Sequence, residues 1–346
     1  MTRNTSRRAF LGSIATTGML SIAGCSSLGG GSSEYPSDPV TFVVPFGEGG
    51  GVDRSTREIQ PVFEEELGTS LSFEYHPGAG TQIGQRAVLD ADDDCYTIGA
   101  ASLPAFNFTM LVGGAEYSID DFAWIGNLLR DPGVLRMHQD DDRFSSVEEV
   151  FQYAADNPGE LSVSTSGPYN QNVLGLSLLQ EATGAEFNIV PFDGGSASRS
   201  ALVRQEVDLC HANVFNSLGT ADSTEVLAVH AQQNDWANLT DDAPTFSGAL
   251  GFDQSEVPPA GPEVVYSWYT SATAADEYPA RYDTLVEAFG NAVQSDGYVE
   301  ELESLSPPQQ SKRRYRPPEE TEEANEAKHQ QMKQYLEQME QAVSNE

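Results

Sequence analysis

The strongest constraint on the fold is an alternation that occurs twice along the chain: a short apolar run, a cluster of glycines, then a segment with helical spacing. Val40-Thr41-Phe42-Val43-Val44 reads as a buried strand, and Gly47-Glu48-Gly49-Gly50-Gly51 follows it directly. Residues 53–67 then carry Ile59, Phe63 and Leu67 on one helical face, with Gly68 as a stop and Pro61 as an internal interruption. A second strand over 71–75, a second helix over 83–89 and a third strand over 96–100 complete a βαβαβ order. That order predicts an α/β fold with a parallel sheet and ligand-facing loops at the carboxyl ends of its strands.

From residue 147 the pattern restarts. A helix is predicted over 147–157, a strand at Leu161-Ser162-Val163-Ser164, a helix over 172–183 and a strand at Phe187-Asn188-Ile189-Val190. After Gly194-Gly195 come a helix over 198–205 and the strand Val207-Asp208-Leu209. The strand-like run Val264-Val265-Tyr266-Ser267-Trp268-Tyr269 is expected to return to the first unit. The division that follows is a first domain of residues 39–136 plus 246–346 and a second of 137–245, with hinge crossings near Leu135 and residue 245. A basic turn, Lys312-Arg313-Arg314-Tyr315-Arg316, reads as a local partner for acidic surface. A terminal amphipathic helix follows it, carrying Ala324, Ala327, Tyr335, Met339 and Val343.

The N-terminus reads as an address. Ser6-Arg7-Arg8-Ala9-Phe10-Leu11 is a twin-arginine signature, and Ile22-Ala23-Gly24-Cys25 resembles a lipobox. Residues 1–24 are thus expected to be a cleaved signal, Cys25 the lipidated first residue and 25–38 a flexible tether. This implies export to the outer face of the cytoplasmic membrane, with a lipid anchor as the membrane contact.

Charge narrows the function. The chain has 53 Asp+Glu against 18 Lys+Arg, a formal net charge of −35, so it lacks the basic face that nucleic-acid binding needs. High acid with few lysines suits a protein bathed in concentrated salt, where screening removes self-repulsion. Cys95 and Cys210 are read as two buried free thiols, since a disulfide between them would staple the domains. The sequons at Asn107 and Asn238 permit glycosylation. The five histidines are scattered, and there is no HExxH, CxxC or EF-hand loop, so neither metal nor cofactor is implied. No GxSxG elbow marks a nucleophile.

The glycine clusters offer chemistry of another kind. Backbone N–H groups at a helix start converge on an anion without using a cation. The same loop also serves as a tight turn with Asp53 as a cap, and both readings stand. Gly78-Ala79-Gly80, Ser102, Ser166-Gly167 and Gly194-Gly195-Ser196 occupy corresponding strand ends.

The order and spacing of several short motifs resemble the Tct/Bug family, the extracytoplasmic solute receptors of tripartite tricarboxylate transporters. The resemblance rests on Val44-Pro45-Phe46 with Gly49-Gly50-Gly51-Val52-Asp53, on Pro77-Gly78-Ala79-Gly80 with Ile83-Gly84, and on Tyr96-Thr97-Ile98. Asn157-Pro158-Gly159, Ser164-Thr165-Ser166-Gly167, Val190-Pro191-Phe192 with Gly194, Gln205-Glu206-Val207-Asp208 and Ala243-Pro244-Thr245 extend it over about residues 40–300. It implies a two-domain clamshell of the periplasmic-binding-protein type (type II), with a ligand cleft between the domains. A ligand carboxylate would be pinched by Phe46, Gly49, Gly50 and Asp53, with Ala79 and Ser102 nearby, on one jaw. Ser166, Gly167, Gly194, Gly195, Ser196 and Ala197 would form the other. Tyr75-His76, Asp94-Cys95-Tyr96 and Phe192 depart from the family pattern, and Phe192 removes a hydroxyl. The implied function is capture of a small organic anion by a monomeric receptor and delivery to integral membrane transporter subunits, without covalent chemistry. A receptor feeding a sensor or another transporter, and a surface hydrolase, are the alternatives.

Overall fold

The computed structural model describes residues 35–344, apart from 113, 169 and 253–262. The signal segment, Cys25 and most of the tether lie outside the described residues.

β1 (Val40–Val44) leads through a glycine loop into α1 (Gly51–Leu67), then β2 (Leu71–Tyr75), α2 (Gln82–Leu89), β3 (Thr97–Leu103) and α3 (Ala105–Val112). β1 pairs in parallel with β2 and β3, the core of the expected βαβαβ unit. α1 runs unbroken through Pro61 and ends at Gly68, whose φ of 78° lets its N–H reach Glu64 O. Proline inside a helix costs about 3 kcal/mol. Burying Ile59, Phe63 and Leu67 offsets it, at about 1.5–3 kcal/mol each.

β4 (Phe122–Asp131) stays in this sheet, and β5 (Gly133–His138) begins the next. The first crossing is therefore at Asp131-Pro132-Gly133. Leu135, where the exit was expected, already pairs with His211 in the second sheet. The break falls at Pro132, which has no N–H for a ladder.

The second unit continues with α4 (Val147–Asp156), β6 (Ser162–Thr165), α5 (Gln171–Thr183), β7 (Asn188–Pro191), α6 (Gly195–Val203), β8 (Leu209–Asn213) and β9 (Thr224–Val229). Two expectations shift here. α6 starts a turn earlier than predicted, so Ser196 and Ala197 are helical rather than loop. β8 starts at Leu209, two residues later than predicted, and runs to Asn213 because His211 and Asn213, polar enough to hide a strand pattern, are buried with hydrogen-bond partners.

After α7 (Ala237–Thr240) and α8 (Phe246–Leu250), β10 (Val264–Ser271) returns to the first sheet between β3 and β4, antiparallel to both. α9 (Ala272–Glu277), α10 (Pro279–Gln294), α11 (Asp296–Ser304), the edge strand β11 (Arg313–Arg316) and α12 (Pro318–Ser344) close the chain. The sheet orders are β11-β4-β10-β3-β1-β2 and β7-β6-β8-β5-β9. In each, three parallel strands are followed by one antiparallel strand that arrives from the other lobe.

The lobes have separate cores. In the first, Trp268 meets Phe42 and Phe63 edge-on and tilts against Phe289. The second takes Phe246 from α8 and Met332 from α12, both from stretches that the sequence division gives to the first domain. α12 lies on α5, which explains why α5 is apolar on more than one face. Among the described residues no helix is long and apolar enough to cross a membrane.

Candidate functional site

α1 and α6 both begin where a parallel strand ends, and neither has a side-chain cap: Gly50 and Gly194 precede them. α4, α5, α8, α9 and α11, by contrast, are capped by Ser146, Asn170, Thr245, Ser271 and Ser295. An uncapped helix start leaves backbone N–H donors and the positive end of the helix dipole for something else. Gly51 of α1 and Ser196 of α6 line the same cavity of about 460 Å³ between the lobes. A second hollow of about 320 Å³ beside β1 and β3 is walled by Glu74, Asp92 and Asp94, a setting that repels anions.

The β1–α1 loop is held from within. Asp53 is buried; its Oδ2 accepts the Gly49 N–H at 2.7 Å and its Oδ1 accepts the Tyr75 hydroxyl at 2.9 Å. Arg57 completes the brace, donating to Asp53 and to Tyr75 and lying over Phe73. Gly49 has φ +74°, and the Gly50 N–H is taken by Gly47 O. The loop's own N–H groups at 49 and 50 are therefore spent on its shape, and the free donors are those of the first turn of α1. Gly51 must be glycine for a different reason: a Cβ there would lie 2.6 Å from both Asn216 Oδ1 and the Tyr266 hydroxyl. Asn216 belongs to the 3₁₀ turn Phe215–Thr220, which follows β8 in the second lobe, and it donates to Tyr266 across the cleft at 3.3 Å.

On the second jaw, Asn170 donates to Ser166 Oγ at 3.3 Å and to Gly167 O at 2.9 Å, and Gly167 takes φ +150°. Gly194 has φ +93°. Ser196 is in the cavity wall, and Gly195 lies close behind it. Phe46 packs against the first core; Ala79 is exposed; Ser102 is buried on β3 opposite Tyr266; Ala197 is half-buried. Of the contacts expected from the sequence, Ser196 alone is in the wall itself. Among the described residues no imidazole is hydrogen-bonded to Ser102, Ser166 or Ser196; His76 pairs with Glu74, His138 with Gln205 and His211 with His230.

Sequence reasoning missed the cavity's charged residues. Arg54, Arg199 and Lys312 line it together with Glu58 and Asp131. Lys312 is buried and paired with Glu58 at 2.6 Å, which ties the basic turn to α1 as expected. Asp131, at the crossing, accepts the N–H groups of Phe215 and Asn216 at 2.9 and 3.1 Å. Burial pushes its carboxyl up to about 7, although those N–H groups oppose the shift. The signal that finds Arg199 is its place four residues after Gly195, since helical side chains lean toward the N-terminus.

Known proteins share this architecture. A family model described as tripartite tricarboxylate transporter family receptor matches residues 55–303. A UPF0065 protein of Bordetella pertussis is 28% identical over 255 residues, covering 71% of this chain and 79% of the relative. Among solved structures, R. palustris Rpa4515 with adipate aligns at TM-score 0.71 and 21% identity, covering 88% of this chain and 98% of that one. MatC (Rpa3494) from Rhodopseudomonas palustris with bound malate aligns at 0.66 and 20%, covering 90% of this chain and 100% of that one. At these identities the structural likeness speaks to the fold.

Proposed function

Because this chain belongs to the tripartite tricarboxylate transporter receptor family, we propose that it captures a small organic carboxylate between its lobes by hinge closure. We further propose that it passes that ligand to integral membrane transporter subunits. The observation that carries this reading is the pair of uncapped helix starts, α1 and α6, that border one cavity. Backbone N–H groups bind a carboxylate at short range, where the screening of molar salt and the repulsion of a −35 surface count for little. The relatives with adipate and malate support the ligand class.

The lobes, joined through Asp131-Pro132-Gly133 and the return to β10, are the bodies that would close. Phe46, Gly49, Gly50, Asp53, Ala79 and Ser102 are assigned to the first jaw, where Gly49, Gly50 and Asp53 shape the loop rather than donate to the ligand. Ser166, Gly167, Gly194, Gly195, Ser196 and Ala197 are assigned to the second. Twin-arginine export and a lipid anchor at Cys25 complete the proposal; the mass of the mature N-terminal peptide tests both.

A thermal-shift screen in molar salt tests the ligand class. A ligand at 100 times its Kd adds about 2.7 kcal/mol. Stabilisation by one di- or tricarboxylate supports the reading, and silence across carboxylates, amino acids and aromatic acids overturns it.

A further inference from the structure

Arg199 stands half-buried in the cavity wall and makes no hydrogen bond or ion pair among the described residues. Its guanidinium folds back over the first turn of its own helix: a Cβ on Gly195 would lie 2.8 Å from Arg199 Nη1 and 3.7 Å from Ser166 Cβ. Arg199, Gly195 and Ser166 therefore meet at one point, on the jaw that already offers uncapped N–H donors.

The chain's own groups make this a poor place for a cation. The α6 N-terminus carries the positive end of the helix dipole, which disfavours a guanidinium. A second arginine, Arg54, stands in the same cavity wall. Behind them Arg136 is buried on β5 and bonds only to neutral acceptors, the hydroxyls of Thr224 and Ser217 and Thr224 O. Nearby Asp131 spends both carboxylate oxygens on the Phe215 and Asn216 N–H groups. A chain with 53 acids against 18 bases thus leaves this arginine without a contact partner among the described residues, with Asp131 attracting it only from a distance. Desolvated charges are ordinarily paired, and the half-buried guanidinium of Arg199 is placed to meet a partner brought into the cavity.

We infer that Arg199 is a specificity-determining residue of the cleft, whose guanidinium takes a carboxylate of the bound ligand as a two-pronged donor. The helix-start N–H groups hold the rest. This rests on the carboxylate-receptor reading and deepens it: the favoured ligand carries two negative groups, one for Arg199 and one for the opposite jaw. A planar guanidinium matches a carboxylate in a way that an ammonium does not. A neutral amide of the same shape would leave the guanidinium buried and unpaired in the closed cleft.

Calorimetric titration of the full chain in molar salt tests this with succinate, malate and adipate, each beside its monoamide. Wild type should bind at least one diacid on the order of 10- to 100-fold more tightly than its monoamide. Arg199→Gln should lose a similar factor for the diacid and little for the monoamide, while Arg199→Lys recovers only part. The ligand-free melting temperature of R199Q should equal or exceed that of wild type, which separates a lost contact from a lost fold. R199Q binding the diacid within about twofold of wild type would overturn the role of Arg199 and leave the receptor reading standing. Wild type binding none of the diacids or monoamides would overturn both.

Discussion

The Nε2 atoms of His211 and His230 lie 2.7 Å apart in the buried interior of the second lobe. Asn172 donates its amide N–H to His211 Nδ1 at 2.8 Å, so His211 carries its proton on Nε2 and gives it to His230. Neither ring has room for a charge.

This pair makes stability depend on pH. Burial pushes His211 down from 6.5 to about 3 and His230 well below its ordinary value. Below pH 6.5 the unfolded chain takes up protons that the folded chain refuses. Stability is therefore complete above 6.5 and falls with decreasing pH, by about 1.4 kcal/mol per pH unit for each ring. Asp131 acts in the opposite sense. Its carboxyl, raised from 3.8 to about 7, binds a proton in the folded state first and favours folding between those values as pH falls. Burial lowers His329 as well, so the rings outnumber Asp131 and leave a net loss of about 1.4 kcal/mol per unit or more between roughly pH 6.5 and 4.5. Urea unfolding at fixed salt at those two pH values checks it; equal stabilities would mean that the rings are not held neutral.

Asp53→Ala removes the acceptor of the Gly49 N–H and of the Tyr75 hydroxyl. The expected cost is about 2–3 kcal/mol, the usual range for breaking buried bonds to a charged group. Tyr75→Phe, which deletes two bonds of the brace, the one given to Asp53 and the one taken from Arg57, should cost about 1–2 kcal/mol. Melting curves give both, and ligand affinity should fall in D53A because the glycine loop loses its shape. A D53A protein as stable as wild type would show that the brace does not hold the loop.

Gly51→Ala brings a methyl group to 2.6 Å from both Asn216 Oδ1 and the Tyr266 hydroxyl, so those side chains have to shift and the contact that Asn216 makes across the cleft is loosened. A control earlier in the same loop is available: Gly47 has open space around its Cβ position, and Gly47→Ala should change little. Small-angle scattering with and without ligand should show reduced compaction in G51A, and adding Asn216→Ala should restore part of it. Identical profiles for wild type and G51A would count against the close approach.

Asn107 is fully buried on α3 and donates to Asn325 Oδ1 of α12 at 2.6 Å, so a glycan cannot reach it in the folded chain. Asn238 is exposed. Peptide mass spectrometry of the exported protein should find Asn107 unmodified, whatever the state of Asn238. Cys95 and Cys210 are free and buried, and burial raises both thiols, Cys95 to about 11. A thiol reagent should label neither in the native protein and both in denaturant; one label in native conditions would place a cysteine at the surface.

The local alternation was enough to find α1, α2, α4 and α5, because Ile59, Phe63 and Leu67, like Val147, Val150 and Phe151, bury one helical face that periodicity exposes. β4, β5 and β9 escaped. β4 and β5 are buried for most of their length, so neither alternates, and Arg136 and Asn127 break their apolar runs while finding buried partners. Asp53 was legible as a residue that matters to the loop, but its direction was not. Only the register that sets Tyr75 beside Val44 shows the carboxylate facing inward.

The two strand–glycine–helix units, their parallel cores and the glycines at the helix starts are thus written in the order of the amino acids, since they follow from backbone conformation and the burial of neighbours within one turn. The membership of the cavity is written nowhere so local. Gly51, Asp131, Ser196, Arg199, Asn216 and Tyr266 come from separate segments that only the crossing at Pro132 and the return of β10 bring together. Whether a charge such as Arg199 is paired depends on those long-range neighbours, and no spacing along the chain encodes them.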